Sequence, residues 1–278
     1  MGLSLINVIS TNNVNVSIPA FTVGTTSPVI VTGTLINPNS NGSFDIQSTD
    51  VRGNVSSCSR TVTTAAPPIL SDNFNDNSID TTKWLTQDMF TMWTNLGVPI
   101  TETAQQLQIG PLLQIPATAH RGVVTASVFN FTGANSYVEL VQAPSSTTDA
   151  EASFAVGNNP NRSDLTQARF YRIYVKHGTL FGESRTSGTV KTTLFSIPYD
   201  PVAHRFWRIR HNAGSLTLDT APGSGGVPGT WVQRFTQTWH SAIPVTSVLI
   251  EFRGGTATQQ TNPGTVIFDN FVFGLNGP

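Results

Sequence analysis

The chain has 278 residues, and its 11% charged content and net charge of −1 exclude a dedicated nucleic-acid binder, which carries a clear basic excess. Apolar residues at 38% exclude wholesale disorder. The single cysteine, Cys58, excludes an intrachain disulfide and a Cys-based structural zinc site, and no apolar run approaches the ~18 residues of a membrane span. Serine and threonine together number 63, with 23 Gly and 17 Pro. This makeup is that of a turn-rich β-protein displayed outside the cell or on its surface. The opening MGLSLINVIS lacks the basic start and long apolar stretch of a secretory signal. Either a signal has been removed or the protein leaves by another route, such as inside a virus particle.

Residues 1–64 alternate with the two-residue period of half-buried strands, through Val14, Val16 and Ile18, then Val29 and Val31, then Phe44 and Ile46. TDVRGN at residues 49–54 is a hairpin signal, because Gly53 supplies the positive φ a tight turn requires. A further strand runs through Cys58 to Val62. TTAAPP at 63–68 is a stiff extended linker. The expected organisation is a first domain at 1–64, a linker at 65–68 and a second domain at 69–278.

The pattern VIVTGTLIN followed by FDIQSTDVRGNVSSCSRTV resembles the small immunoglobulin-like domains of bacterial surface proteins, the hyalin-repeat type among them. The resemblance implies a first β-sandwich acting as a spacer. Relatives with two cysteines can pair the late one; Cys58 has no partner here.

The second domain opens with SDNFNDNSIDTTKW at 71–84 and closes with VIFDNFVF at 266–273. This pair of ends resembles the concanavalin A-like lectin/glucanase superfamily of jelly rolls. It implies two stacked antiparallel sheets in which the first and last strands pair. Residues 137–141, 152–156, 170–175 and 200–210 carry the strand patterning between them. The fold class expected is therefore all-β, an immunoglobulin-like sandwich followed by a concanavalin A-like jelly roll. One stretch competes with that reading: Leu85, Met89, Met92, Trp93 and Leu96 fall at helical spacing.

The enzymes of the superfamily place two glutamates flanking an aspartate on one strand. This chain has five Glu (102, 139, 151, 183 and 251), none spaced for that pattern. The nearest substitute, Asp149-Ala150-Glu151, puts two carboxylates on one strand face. Nucleophile-elbow, phosphate-loop, dinucleotide and zinc-protease motifs are absent. The reading is a non-catalytic protein.

The resemblance also implies a structural calcium near the paired terminal strands, with Asp269 and Asp72 as its ligands. By alternation Asp269 shares a face with Ile267, Phe271 and Phe273. The competing reading has Asp269 accepting backbone N–H groups of the first strand.

Nine of the fifteen basic residues lie between Arg162 and His211, giving that stretch +6 against −7 over the rest. Aromatic residues interleave them. On a jelly roll, rings cover sugar C–H faces and a basic face favours anionic glycans. Arg172, Arg208, Arg210, Trp231 and Trp239 are the expected ligand-binding residues. Alternation places Arg208 and Arg210 opposite Trp207 and Ile209, so burying the larger apolar area turns both arginines outward. The function expected is adhesion or carbohydrate binding, with a cell-surface polymer as partner and no membrane insertion. The alternative from another class is a self-assembling structural subunit of a virion or an extracellular filament.

Overall fold

The structure is a computed structural model that describes residues 2–36, 41–62, 70–86, 97–112, 119–159 and 164–275. The chain divides into two compact units, Met1–Ala66 and Pro67–Pro278. The linker expected at 65–68 and most of the helical-period stretch lie outside the described residues. Leu85, the one described member of that stretch, is in a strand.

The first unit contains β1 (Leu3–Asn12), β2 (Val14–Ser17), β3 (Thr32–Leu35), β4 (Gly42–Asp50) and β5 (Val55–Val62). Strands β1, β4 and β5 form one antiparallel sheet in that order, and β2 with β3 a second. The β4–β5 hairpin is built as its residues dictate. Asp50 accepts the backbone N–H groups of Arg52 and Asn54 at 2.8 and 2.9 Å, and Gly53 takes φ +85°.

The second unit begins with β6 (Leu70–Asp72), β7 (Trp84–Leu85), β8 (Ile100–Thr103), β9 (Gln106–Ile109) and β10 (Ala119–Thr125). It continues through β11 (Ala134–Gln142), β12 (Ala150–Asn158), β13 (Arg169–Lys176), β14 (Thr179–Ser187) and β15 (Val190–Pro198). Then follow β16 (Phe206–Asn212), β17 (Ser215–Ala221), β18 (Gly223–Ser224), β19 (Val227–Pro228), β20 (Val232–Thr238), β21 (Leu249–Thr256) and β22 (Val266–Leu275). Residues 200–205, expected to extend β16, instead form a turn in which Asp200 caps the N–H groups of Val202 and Ala203.

Two large sheets result. One is ordered β15-β14-β13-β12-β21-β10-β7, the other β20-β17-β16-β11-β22-β9-β8, with β6 also pairing β22. Alternation, broken once in β22, fills the space between them. Ala152, Phe154 and Val156 of β12, Tyr171 and Ile173 of β13, and Ile250 and Phe252 of β21 meet Trp207 and Ile209 of β16 and Phe268, Phe271 and Phe273 of β22, all buried.

The ends of the unit close on each other. Phe271, Val272 and Phe273 pair with Asp72, Ser71 and Leu70, while Val266 to Phe268 pair with Ile109 to Leu107 on the same side of β22. A bulge interrupts β22 against β11 where Asn270 adopts φ +46°. The extra residue reverses the parity expected by alternation. Phe271 and Phe273 join the core, whereas Asp269 stays with Ile267 on the outer side, half-buried.

Candidate functional site

The outer face of the β12–β15 sheet carries the side chains that alternation excludes from the core. β13 contributes Phe170, Arg172, Tyr174 and Lys176, and β14 contributes Glu183 and Arg185. β12 adds Glu151, β21 Arg253, β10 His120 and β15 Lys191. They line a cavity of about 410 Å3.

Its floor is an ion network. The Arg172 guanidinium donates through Nε to Glu183 Oε1 at 2.8 Å and through Nη1 to Glu151 Oε1 at 3.0 Å. Arg253 Nη2 donates to the same Glu151 oxygen at 2.6 Å, and His120 Nε2 lies 3.4 Å from it. Arg172, Glu183 and Arg253 are each 5% exposed or less. Burial alone would raise the carboxyl pKa of Glu151, but the charges of Arg172 and Arg253 outweigh it and hold Glu151 well below its ordinary 4.5. Burial lowers His120, whose imidazole is therefore neutral at pH 7.

One wall is aromatic. Arg172 Cζ sits 3.9 Å from the Tyr174 ring centroid, and that ring stacks on Phe181 at 4.9 Å with the planes 16° apart. Tyr174 donates its hydroxyl to Glu183 at 3.4 Å, and burial pushes its pKa up to about 12, so it keeps its proton. The lining counts five cations, Arg172, Lys176, Arg185, Lys191 and Arg253, against three carboxylates, Asp149, Glu151 and Glu183. Lys191 is the exposed arm, 4.0 Å from Glu183.

The five residues expected to bind ligand do not converge, because β13 and β16 belong to different sheets. Arg172 alone lines the cavity. Arg208 and Arg210 point outward from the other sheet, opposite the buried Trp207 and Ile209, and both donate to Asp219 Oδ2 at 2.9 Å. Trp231 lies beside them, half-buried, under Arg208 Cζ at 4.1 Å and against Tyr137. Trp239 is a core residue: it packs on Tyr171, Phe131 and His211 and donates to the Ile243 carbonyl. Arg162 lies outside the described residues. The Asp149–Glu151 pair does share the cavity, but Asp149 is bound by Lys176 and His177.

Glu183, Tyr174, Arg253 and His120 were not singled out in the sequence. The signal that marks them is the polar half of strands such as RFYRIYVK, whose other half is apolar. A β-sheet face with a second layer of packing demands no arginine.

The expected calcium ligands do not make a calcium cage. Asp72 accepts from Phe74 N at 3.1 Å, Trp84 Nε1 at 2.8 Å and Lys83 Nζ at 3.3 Å, so both its oxygens are engaged within the chain. Asp269 accepts the adjacent Asn270 N–H at 2.7 Å. Burial, with the nearby charges of Glu139 and Asp72, raises its pKa to about 6 against the help of that N–H. Among the described residues no three His, Cys, Asp or Glu side chains gather as a metal site.

No family model matches the chain, and no curated protein matches it. Solved structures do. The VIP36 exoplasmic/lumenal domain in its Ca2+- and mannose-bound form has a TM-score of 0.53 at 9% identity, over 76% of this chain and 90% of that one. The CBM2 module of an evolved Dit from Lactobacillus casei BL23 phage J-1 has a TM-score of 0.52 at 10% identity, over 77% and 99%. A structure described with the endo-acting O-glycanases of the human gut microbiota that initiate mucin breakdown gives 0.52 at 9%, over 75% and 99%. The chain carries a lectin-like β-sandwich. Matches over three quarters of the chain fall mainly on the second unit, since the first holds under a quarter of the residues. At these identities the likeness is one of fold.

Proposed function

We propose that this chain is a non-catalytic carbohydrate-binding protein, displayed outside the cell or on a virion, whose ligand is an anionic glycan bound over the Arg172 cavity. The observation that carries this reading is the cavity's lining, an aromatic wall beside a surplus of cations. Tyr174, its ring backed by Phe181, presents the apolar surface that sugar C–H faces cover, and Lys191 and Arg185 stand beyond the carboxylates already engaged with Arg172. A uronic-acid or sulfated sugar fits that chemistry.

Within this cavity, cleavage is disfavoured by the state of the carboxylates. A glycosidase needs one carboxyl that keeps its proton at working pH and a second placed as nucleophile or base. Glu151 is held ionised by two arginines, and Glu183 is tied to Arg172 and Tyr174. We read the first unit as a spacer of the immunoglobulin-like kind, supported by its two small sheets and its TDVRGN hairpin. No helix among the described residues is long and apolar enough to cross a membrane.

The test is a glycan array at low and physiological salt. Wild type should bind acidic glycans, more strongly at low salt, and Tyr174→Ala plus Lys191→Ala should weaken binding at least about tenfold, or ~1.4 kcal/mol. Arg208→Ala plus Arg210→Ala should leave it unchanged. Binding lost with the Arg208 and Arg210 pair would move the site to the other sheet, and a blank array at both salts would end the glycan reading.

A further inference from the structure

The first unit carries apolar surface that its own fold does not cover. Among the described residues Val14 and Phe44 are its buried hydrophobic side chains, while Leu5, Val8 and Ile9 of β1 are 47%, 39% and 58% exposed. A unit this small is marginal even when most of its apolar surface is buried.

β1 is also an open edge. It pairs with β4 on one side; on the other, among the described residues, it meets only Thr25, opposite Leu3 at its start. Native edge strands are blunted with lysine, proline, inward charges or bulges. β1 runs for ten residues without a charge or a proline. Residues 1–44 contain no Asp, Glu, Lys, Arg or His at all. Its blunting devices are two register shifts against β4, one between Leu3 and Leu5 at its start and one between Val8 and Ser10, which leaves Ile9 unpaired on β4 and projecting into solvent.

We propose that β1 is a self-association edge that pairs antiparallel with β1 of a second copy of this chain about a two-fold axis. The chemistry selects the occupant. A charged partner would find no counter-charge along this edge, whereas a second copy brings a strand of equal length that is equally uncharged and equally apolar. A two-fold axis sets like strands antiparallel, so each supplies the N–H and C=O row the other lacks. Two three-stranded sheets become one six-stranded sheet, and Leu5 and Ile9 of both chains are covered at the seam. The inference stands apart from the glycan reading, since it involves only the first unit.

The experiment is light scattering on the full chain over an about hundredfold concentration range, because association follows mass action. Wild type should have the mass of two chains, and Asn7→Lys plus Ile9→Lys should halve it. Both positions are exposed, so the Val14–Phe44 contact is untouched. Should the double variant lose its β-sheet circular dichroism, Asn7→Lys alone, polar for polar, is read the same way. Val55→Lys, on the opposite edge strand and 57% exposed, should leave the mass of two chains intact. The proposal is overturned by a single-chain mass at every wild-type concentration, by any mass other than two chains, by a folded β1 variant that stays paired, or by loss of pairing in Val55→Lys only.

Discussion

Two glutamates in the second unit are pushed in opposite directions, and their balance sets how its stability follows pH. Glu151, gripped by Arg172 and Arg253, sits well below 4.5. Its contribution is present above the ordinary value and is lost as pH falls through the lowered one. Glu102 is 7% exposed, and its burial, together with the adjacent Asp76 and Asp72, raises it to about 7. Its protonated carboxyl hydrogen-bonds Asp76, which is correspondingly lowered. A raised carboxyl contributes fully below 4.5 and loses that contribution as pH rises through about 7. The melting temperature should therefore fall in acid below 4.5 and fall again between 4.5 and 7. Glu102→Gln, an amide that still donates to Asp76, should remove the second fall and leave the first. The shift should be a few degrees, since ~1 kcal/mol moves a unit of this size by about 2–4 °C. Scanning calorimetry from acid to neutral pH checks it; an unchanged neutral slope in the variant would place the proton elsewhere.

Among elements, the pairing of β6 with β22 joins the two ends of the second unit. Asp72 ends the short β6 and turns the chain so that Phe74, at φ +47° and 1% exposed, and Trp84, 1% exposed, enter the core. Phe74 and Trp84 lie 6.0 Å apart, and Trp84 packs on Phe252 and Phe271 at 5.2 and 5.1 Å. Removing the carboxylate strands the Trp84 indole N–H and the Phe74 amide. Asp72→Ala should cost roughly 3 kcal/mol, counting ~1–3 kcal/mol for each buried donor left unsatisfied. A chelator should leave the wild-type melting temperature unchanged. Denaturant unfolding of the variant and a thermal melt with chelator read the two halves of this expectation, and a chelator-induced drop would restore Asp72 and Asp269 as calcium ligands.

At the scale of the whole molecule, every member of the large core cluster belongs to the second unit, from Leu70 to Phe273. No described residue of the first unit is part of it. Residues 67–278 expressed alone should keep the melting temperature of that transition within about 2 °C, the span of roughly 0.5–1 kcal/mol in a unit of this size. Differential scanning calorimetry of the truncated and full chains is the comparison, and a larger loss would mean that the units fold as one. The two units differ in kind: one buries a continuous core between two large sheets, the other leaves seven of its fifteen valines and isoleucines exposed and fully buries only Val14 among them. The glycan reading we propose rests on the larger unit and the proposed self-association on the smaller one.

Composition and two-residue alternation determined that the chain is all-β. The motif SDNFNDNSIDTTKW with VIFDNFVF pointed to a sandwich whose end strands pair, and the TDVRGN turn was legible because Asp50 and Gly53 act on their own neighbours. Local chemistry of that sort needs no knowledge of the rest of the chain. Tertiary structure alone decided the rest. Alternation named Arg172, Arg208 and Arg210 as outward-facing, but only the strand order put Arg172 in one sheet and the other two in the second. The one-residue bulge at Asn270 moved Asp269 off the face of Phe271 and Phe273, a change of parity with no mark in the sequence. Trp239 carries the same ring whether it stacks on a sugar or on Tyr171, and its place between the sheets settles which. The cavity itself joins residues from His120 to Arg253, brought together by non-local strand pairing whose register depends on the whole sheet.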